Sequence, residues 1–338
     1  MNLPTVMNAV RFYGARDLRF ERVPRPAGPG TNQVKVRVEA AGICGSDLHV
    51  YETGHYVTQI PVIMGHEFAG TVIDVGDGVQ GLGHGDHVIG DSRIFCGRCR
   101  SCQKGQPNLC ASLGFLGEVC DGAYSEEITV NSSSLVRIGD GVPFEIAALA
   151  EPTCVALHAF RMARIEESRR VLILGAGPIG ALIHTVLMIR GVSDIHVTDI
   201  SEYRRGVIAR VDANAVISKP QNQYDIVFET TGSSSVVGQV LPNHIIKGGE
   251  LIMVGLFRRL TPFDFNQIVE SEWVVKGCSA FSTELPEAVQ LLEKHRQRFE
   301  HIVSHKIPLQ KFQQAFDVLL SPEKTAMKIV FTPGTIKV

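Results

Sequence analysis

The residues able to do chemistry gather in a few short stretches. Gly42-Ile43-Cys44-Gly45-Ser46-Asp47-Leu48-His49 sets a thiol, a hydroxyl and an imidazole close together between glycines that keep bulk away. Met64-Gly65-His66-Glu67-Phe68 adds an imidazole and a carboxylate between apolar runs. A soft thiolate, a neutral imidazole and a carboxylate form a ligand set suited to zinc. Either stretch alone is equally a buried cysteine and a satisfied histidine in an ordinary core. The other motifs shift the balance towards metal. Cys96, Cys99, Cys102 and Cys110 follow as C-x2-C-x2-C-x7-C. Four thiolates from one loop close a tetrahedron around zinc with no vacant position, which is a structural site. Disulfides are the competing use, but cysteines two residues apart bridge poorly. Cys120, Cys154 and Cys278 read as packing residues.

A second kind of chemistry begins after Glu151-Pro152. The unbroken apolar run Arg170-Val171-Leu172-Ile173-Leu174 predicts a buried parallel strand. Gly175-Ala176-Gly177-Pro178-Ile179-Gly180 comes next, then a helical stretch over 181–190 and a strand, 194–198, ending in Asp199. A G-x-G-x-x-G alone is a weak signal; strand, glycines, helix, second strand and terminal acid in that order make a strong one. The glycines admit a pyrophosphate to the backbone, and the helix N-terminus attracts it. Asp199 suits the ribose hydroxyls of NAD and repels the 2′-phosphate of NADP, although it can also be a strand-end cap, and Arg204 and Arg205 can serve that phosphate.

The elements that must position these groups fall into two textures. Residues 7–90 read as short strands at 8–12, 18–23, 33–42, 67–75 and 87–89, with strict alternation in Val34-Lys35-Val36-Arg37-Val38-Glu39. From 153 on, helices at 153–163, 285–295 and 309–319 interleave with strands at 215–218, 225–229, 250–255, 274–280, 302–306 and 328–332. Only Lys219 to Tyr224 join two strands that should be parallel, too few for a crossover helix, which needs at least about 10–12 residues. At 338 residues the chain has room for two domains. A net charge of −2 gives no footprint for nucleic acid. No apolar run reaches the ~18 residues of a membrane span. The first residues lack a signal peptide, and eight cysteines, four of them within fifteen residues, suit a reducing compartment, so the chain reads as cytoplasmic.

Together these residues resemble the zinc-containing medium-chain alcohol/polyol dehydrogenase family over nearly the whole chain. The matching pieces are 42–49, Gly65-His66-Glu67, the four-cysteine lobe, Glu151-Pro152 and 175–180. Within the family, Tyr51 after 46–49, Gly114-Phe115-Leu116-Gly117 ahead of Asp121-Gly122, and Phe228-Glu229 before Thr231-Gly232 look most like the L-idonate 5-dehydrogenase and sugar-acid branch; sorbitol and other polyol dehydrogenases share most of them. The short crossover and Val211-Asp212-Ala213-Asn214, in place of a glycine-containing turn, depart from the family pattern.

The resemblance implies an α/β fold: a GroES-like, partly open β-barrel catalytic domain over 1–151 with the zinc lobe at about 91–112, a Rossmann domain with a doubly wound parallel sheet over 152–283, and a return to the catalytic domain over 284–338. It implies two zinc ions per chain. Cys44, His66 and either Glu67 or Glu151 would hold the catalytic one, with the two carboxylates sharing or exchanging the contact and a position left for water or substrate. Ser46 would take the proton of a secondary alcohol and His49 pass it to solvent while hydride goes to the nicotinamide. Val155, Gly175, Gly177, Pro178, Ile179, Gly180, Asp199, Arg204, Val254 and Gly255 would bind the cofactor, with NAD preferred; Tyr51, Arg93, Phe115 and Glu118 would reach the substrate. For a sugar acid, Arg93 or Arg258 would supply the needed cation. Homodimers or homotetramers joined through Trp273 to Ala280 are expected. Two other readings compete: a zinc-less quinone or enone reductase, which would lack Cys44, His66 and the lobe, and a nucleotide sensor without turnover, which need not keep Ser46 and His49.

Overall fold

The computed structural model describes residues 5–165, 169–257 and 261–334. Strands open the chain. β1 (Val6–Gly14) pairs antiparallel with β2 (Asp17–Pro24). The alternating stretch forms β3 (Gln33–Gly42), which buries Val34, Val36, Val38 and Ala40. A helix, α1 (Gly45–Thr53), follows at once, and the sequence reading assigned none here. Its N-terminus is held by a capping box in which the Asp47 carboxylate reaches back to the Cys44 amide.

β4 (Val62–Ile63) pairs with β1; β5 (Glu67–Val75) and β6 (His87–Gly90) continue from β3. β7 (Arg93–Ile94) and β8 (Gly114–Phe115) pair at the base of the cysteine lobe, which holds one helical turn, α2 (Arg100–Gln103). β9 (Glu127–Asn131) lies along the first half of β3, and β10 (Leu135–Arg137) pairs with β6. α3 (Phe144–Ala147) and α4 (Ala150–Met162) lead out of this part, α4 starting three residues before the predicted helix.

The second part is a parallel sheet. β11 (Val171–Leu174), α5 (Pro178–Ile189), β12 (Ile195–Thr198), α6 (Glu202–Ala209), β13 (Tyr224–Glu229), β14 (Ile245–Met253), α7 (Asn266–Ser271) and β15 (Val274–Gly277) follow in turn. The strand order is β12-β11-β13-β14-β15, so the chain reverses direction across the sheet between β11 and β13. Such a switch point opens a crevice at the strands' C-terminal ends. The strand predicted at 215–218 shrinks to one bridge, Val197 to Val216. The next residues must travel from the sheet edge to β13, and no helix forms at 219–223. So short a segment cannot both extend the edge pairing and cross.

The chain then returns to where it began. α8 (Leu285–His295), β16 (Val303–Pro308), α9 (Phe312–Leu320) and β17 (Lys328–Thr332) close it. β17 is parallel to β16 and antiparallel to β3, with Val330 opposite Gly42 and Phe331 opposite Ala41. Strands from both ends of the chain thus share one sheet and bury one core with Phe12, Val36, Phe68 and Phe316. The junction between the two parts is polar and tight. Asn108 Nδ2 donates to Ser279 O (3.0 Å), Ser282 Oγ donates to Gly105 O (2.9 Å), and Glu284 accepts from Arg161 (3.0 Å).

Candidate catalytic site

β3, α1 and β5 bring the first two motifs together. Gly42 faces Glu67 across the β3–β5 ladder, and a Cβ on Gly42 would lie 2.2 Å from the Glu67 carboxylate, so only glycine fits. Cys44 starts α1; His66 and Glu67 start β5. The Cys44 thiol, the His66 ring and the Glu67 carboxylate lie within 4.8 Å of one another, with both latter residues buried. Ser46 Oγ is 3.5 Å from His66 Nε2, while His66 Nδ1 faces Asp47 Oδ1 at 3.6 Å. Burial disfavours an imidazolium at His66, yet Asp47, Cys44 and Glu151 outweigh it and hold the ring well above the usual histidine range. The cluster draws positive charge, as a cation site must.

Glu67 is also an ion-pair partner. Lys328, 2% exposed, places Nζ 2.7 Å from Glu67 Oε1 and donates to Ile43 O at 2.9 Å. Glu151 stands apart from the thiol–imidazole–carboxylate group. Its Oε1 accepts from Ser92 Oγ at 2.7 Å. Burial, with the Glu67 charge adding, pushes its carboxyl up to about 7. Of the two carboxylates read as exchanging a metal contact, the structure groups only Glu67 with Cys44 and His66.

The four lobe cysteines form the other group. Their sulfurs all lie within 4.8 Å of one another, with Cys99–Cys102 and Cys96–Cys110 at 3.5 Å, and all are free thiols. A tetrahedron of ~2.3 Å zinc–sulfur bonds needs sulfurs about 3.8 Å apart, so this cluster fits the ion. Cys96 N–H donates to Cys110 Sγ and Cys99 N–H to Cys96 Sγ, the amide contacts that stabilise thiolates. Cys154 and Cys278 are buried or nearly so, and burial raises both thiols, Cys278 to about 12, as fits packing.

At the sheet's switch point Gly175 takes φ +106° and Pro178 occupies the first turn of α5. A Cβ on Gly180 would lie 1.9 Å from Gly175 O, so that glycine lets helix and strand close up. Gly177 caps α5 and faces Arg204; Ile179 follows on the helix. Asp199 accepts the Ala176 amide through Oδ2 and the Ser201 amide through Oδ1, each at 2.8 Å, which fixes its carboxylate beside the loop. Arg204 Nε donates to Ala326 O (3.2 Å), and Arg205 bonds Asp199 O. Val254 and Gly255 both donate backbone N–H to Glu229 O, and Val155 is partly buried on α4.

The substrate-pocket residues fare unevenly. Phe115 lies 6.2 Å from the His66 ring, centroid to centroid, and Glu118, whose amide donates to Phe115 O in the same turn, is pushed up to about 7 by burial and the Asp47 charge. Tyr51 packs edge-on against Phe316 on the far side of α1. Arg93 does not await a substrate carboxylate. It is 5% exposed, bonds Asp91 twice (2.9 and 2.7 Å) and Ser282 O (2.9 Å), and stacks over Phe281 at 3.9 Å. With its donors spent inside the protein, it ties β7 to the chain leaving the parallel sheet. Arg258 lies outside the described residues. Trp273, read as an assembly contact, is 7% exposed and donates to Ile246 O, so of the stretch 273–280 it is β15 that lies along an edge of the parallel sheet, opposite the β12 edge. Sequence reasoning missed Asp47, Ser92, Lys328 and Tyr124. Lys328 alone carried a signal, a cation inside an apolar strand.

Residues 30–140 match the alcohol dehydrogenase GroES-like domain, and 144–329 match the glucose dehydrogenase C-terminus. The chain belongs to the zinc-containing medium-chain alcohol dehydrogenase family. It is 31% identical to the sorbitol dehydrogenase of Halalkalibacterium halodurans, covering 95% of this chain and 97% of the relative. It is 32% identical to the (R,R)-butanediol dehydrogenase of Bacillus subtilis, covering 97% and 100%. The fold matches a candidate zinc-binding dehydrogenase of Sinorhizobium meliloti 1021 bound to NADP, at a TM-score of 0.89, 26% identity, 98% of this chain and all of that one. As a member of this medium-chain family the chain is an oxidoreductase acting on CH–OH groups. Among the described residues no helix is long and apolar enough to cross a membrane.

Proposed function

We propose that this dehydrogenase oxidises a secondary hydroxyl of a neutral polyol, with NAD preferred as hydride acceptor, in place of the sugar acid that the sequence motifs favoured. The spent guanidinium of Arg93 carries this reading. A carboxylate taken into the cleft needs a partner there. Among the described residues, Arg93 is paired with Asp91 and backbone, and Lys328 is paired with Glu67; Arg258 lies outside them. Glu118 stands near His66 instead, an acid that accepts from or donates to hydroxyls and repels a carboxylate. The sorbitol and butanediol dehydrogenases among its relatives act on neutral alcohols, in keeping with it.

Cys44, His66 and Glu67 would hold the catalytic zinc, and Cys96, Cys99, Cys102 and Cys110 the structural one. The catalytic ion, when bound, acts as a Lewis acid on the hydroxyl oxygen. Ser46, beside His66 Nε2, accepts the hydroxyl proton and His49, one turn along α1, carries it outward. The Gly175–Gly180 loop seats the pyrophosphate, and Asp199, held by two amides, accepts from the ribose hydroxyls. Val155, Val254 and Gly255 support the nicotinamide. Two copies join along β15, the free edge of the parallel sheet.

The test is a panel of neutral polyols and matching aldonates assayed with both cofactors. Higher kcat/KM for a polyol with NAD is expected, with at least a ~10-fold preference for NAD, about 1.4 kcal/mol. An aldonate preferred over every polyol, with Arg93→Ala selectively harming it, would overturn the reading.

A further inference from the structure

Tyr124 lies where the two ligand-bearing segments meet, yet it offers no atom to a metal or a substrate. Its side chain is fully buried. The hydroxyl donates to Asp47 Oδ2 at 2.7 Å, with Gly42 O further off at 3.2 Å. Asp47 Oδ2 also accepts the Cys44 amide at 2.8 Å, and its Oδ1 faces His66 Nδ1. The backbone of 122–124 runs along 63–65. Gly122 N–H donates to Ile63 O, Ala123 to Gly65 O and Tyr124 to Met64 O, at 2.7–2.8 Å. The Tyr124 ring fills the space of a missing side chain at Gly65, whose Cβ would lie 2.3 Å from the ring at φ +93°. Phe331 meets the ring edge-on at 5.0 Å.

We propose that Tyr124 is a positioning residue of the catalytic centre, its hydroxyl fixing the Asp47 carboxylate and thereby the ring of His66. A carboxylate with one backbone donor can rotate about its Cβ–Cγ bond; a second, buried donor on the same oxygen removes that rotation. Asp47 Oδ1 then stays on the Nδ1 side of His66, 3.6 Å away and short of a hydrogen bond in the metal-free ring, and Nε2 is left on the side of Ser46. Carboxylates behind a ligating histidine fix its tautomer and orientation, and losing such a partner costs roughly 10- to 100-fold in metal affinity or activity. A residue one layer further out should cost less. The inference rests on the reading of Cys44, His66 and Glu67 as a metal site.

The test uses cobalt(II) added to the metal-free full-length protein, because four thiolates and a Cys–His–Glu set give different visible spectra. In the wild type, cobalt should fill both sites; failure at the Cys44 site would sink the metal reading itself. Tyr124→Phe keeps the ring against Gly65 and Phe331 and removes only the hydroxyl. It should bind cobalt roughly 3- to 10-fold more weakly at the Cys44 site, with the four-cysteine site unchanged, and lower kcat more than it raises KM. Combining it with Asp47→Asn should add little beyond Asp47→Asn alone, as expected for one chain of contacts. Phe331→Leu loosens the same ring with its hydroxyl in place; it should lower Tm and leave the cobalt affinity ratio of the two sites alone. Unchanged affinity in Tyr124→Phe, an equal loss at both sites, or full additivity with Asp47→Asn would overturn the proposal.

Discussion

Lys328 sits in Ala326-Met327-Lys328-Ile329-Val330, a stretch otherwise buried and apolar that leads into β17, with its ammonium against Glu67. Burial opposes the charge on Lys328, but Glu67, Cys44 and Glu151 more than restore it and raise its pKa. In the metal-free protein, Lys328→Met therefore leaves the buried Glu67 carboxyl without its ammonium partner, a loss of about 3–5 kcal/mol. Glu67→Gln added to it should recover most of that, and urea denaturation of the two variants checks this. The two clusters read as metal sites separate equally cleanly. Cys44→Ser should abolish turnover while leaving Tm nearly unchanged. Cys99→Ser should lower Tm, by about 2–4 °C for each kcal/mol lost, through failure of the lobe. Activity and thermal melts on the same preparations read both. At this scale the sequence disclosed donors and concealed supports. Cys44, His66, Glu67 and the lobe cysteines announce themselves because few residue types bind zinc. Asp47 and Tyr124 act through hydrogen bonds across β3, α1 and β8–β9 that no local pattern encodes.

Between residue and domain lie the joints, and Glu284 is central to one of them. It accepts from His158 Nδ1 (3.0 Å), Arg161 Nη1 (3.0 Å) and the Ser282 amide, linking α4 to the start of α8. Burial opposes its ionisation, but His158, the amide and Arg161 win and hold it at about 2, below the usual 4.5. A carboxylate with a depressed pKa stabilises the fold above its unfolded value and loses that contribution as pH falls from about 4.5 towards 2. The stake is on the order of 3 kcal/mol. Glu284→Gln should lower stability at pH 7 and flatten the fall between pH 5 and pH 3, measured by denaturation at each pH. Strands and helices with strong periodicity, such as β3, α5 and α8, were legible in the sequence. α1 and α6 were not: Gly45 and Gly206 and short lengths blur their helical pattern. The strand at 215–218 failed for a tertiary reason, the short path to β13.

For the molecule as a whole, the exposed edge is β15, where Val275 is 41% exposed, with Val269 at 74% and Phe265 at 72% nearby. An open edge with apolar neighbours invites pairing with a second copy. In the proposed assembly along β15, Val275→Lys should favour monomers by light scattering with little loss of secondary structure by circular dichroism. The chain's return to its first domain was legible from the family's likeness, whereas the polar seam of Arg93, Asn108, Ser282 and Glu284 that fastens the two parts was not.

That return also sets an order in time. The parallel sheet is built from consecutive residues, 171–277, and can form as soon as they leave the ribosome. β3 must wait for β17, whose pairing partner lies nearly the whole chain away. Domains generally fold as they emerge, and contacts between distant segments form last. The cofactor half is therefore made second but folded first. Until residue 332 appears, Cys44, His66 and Glu67 stand on strands whose outer edge is open and whose buried carboxylate has no ammonium. The Cys44–His66–Glu67 cluster is completed only once β17 has been made and paired with β3.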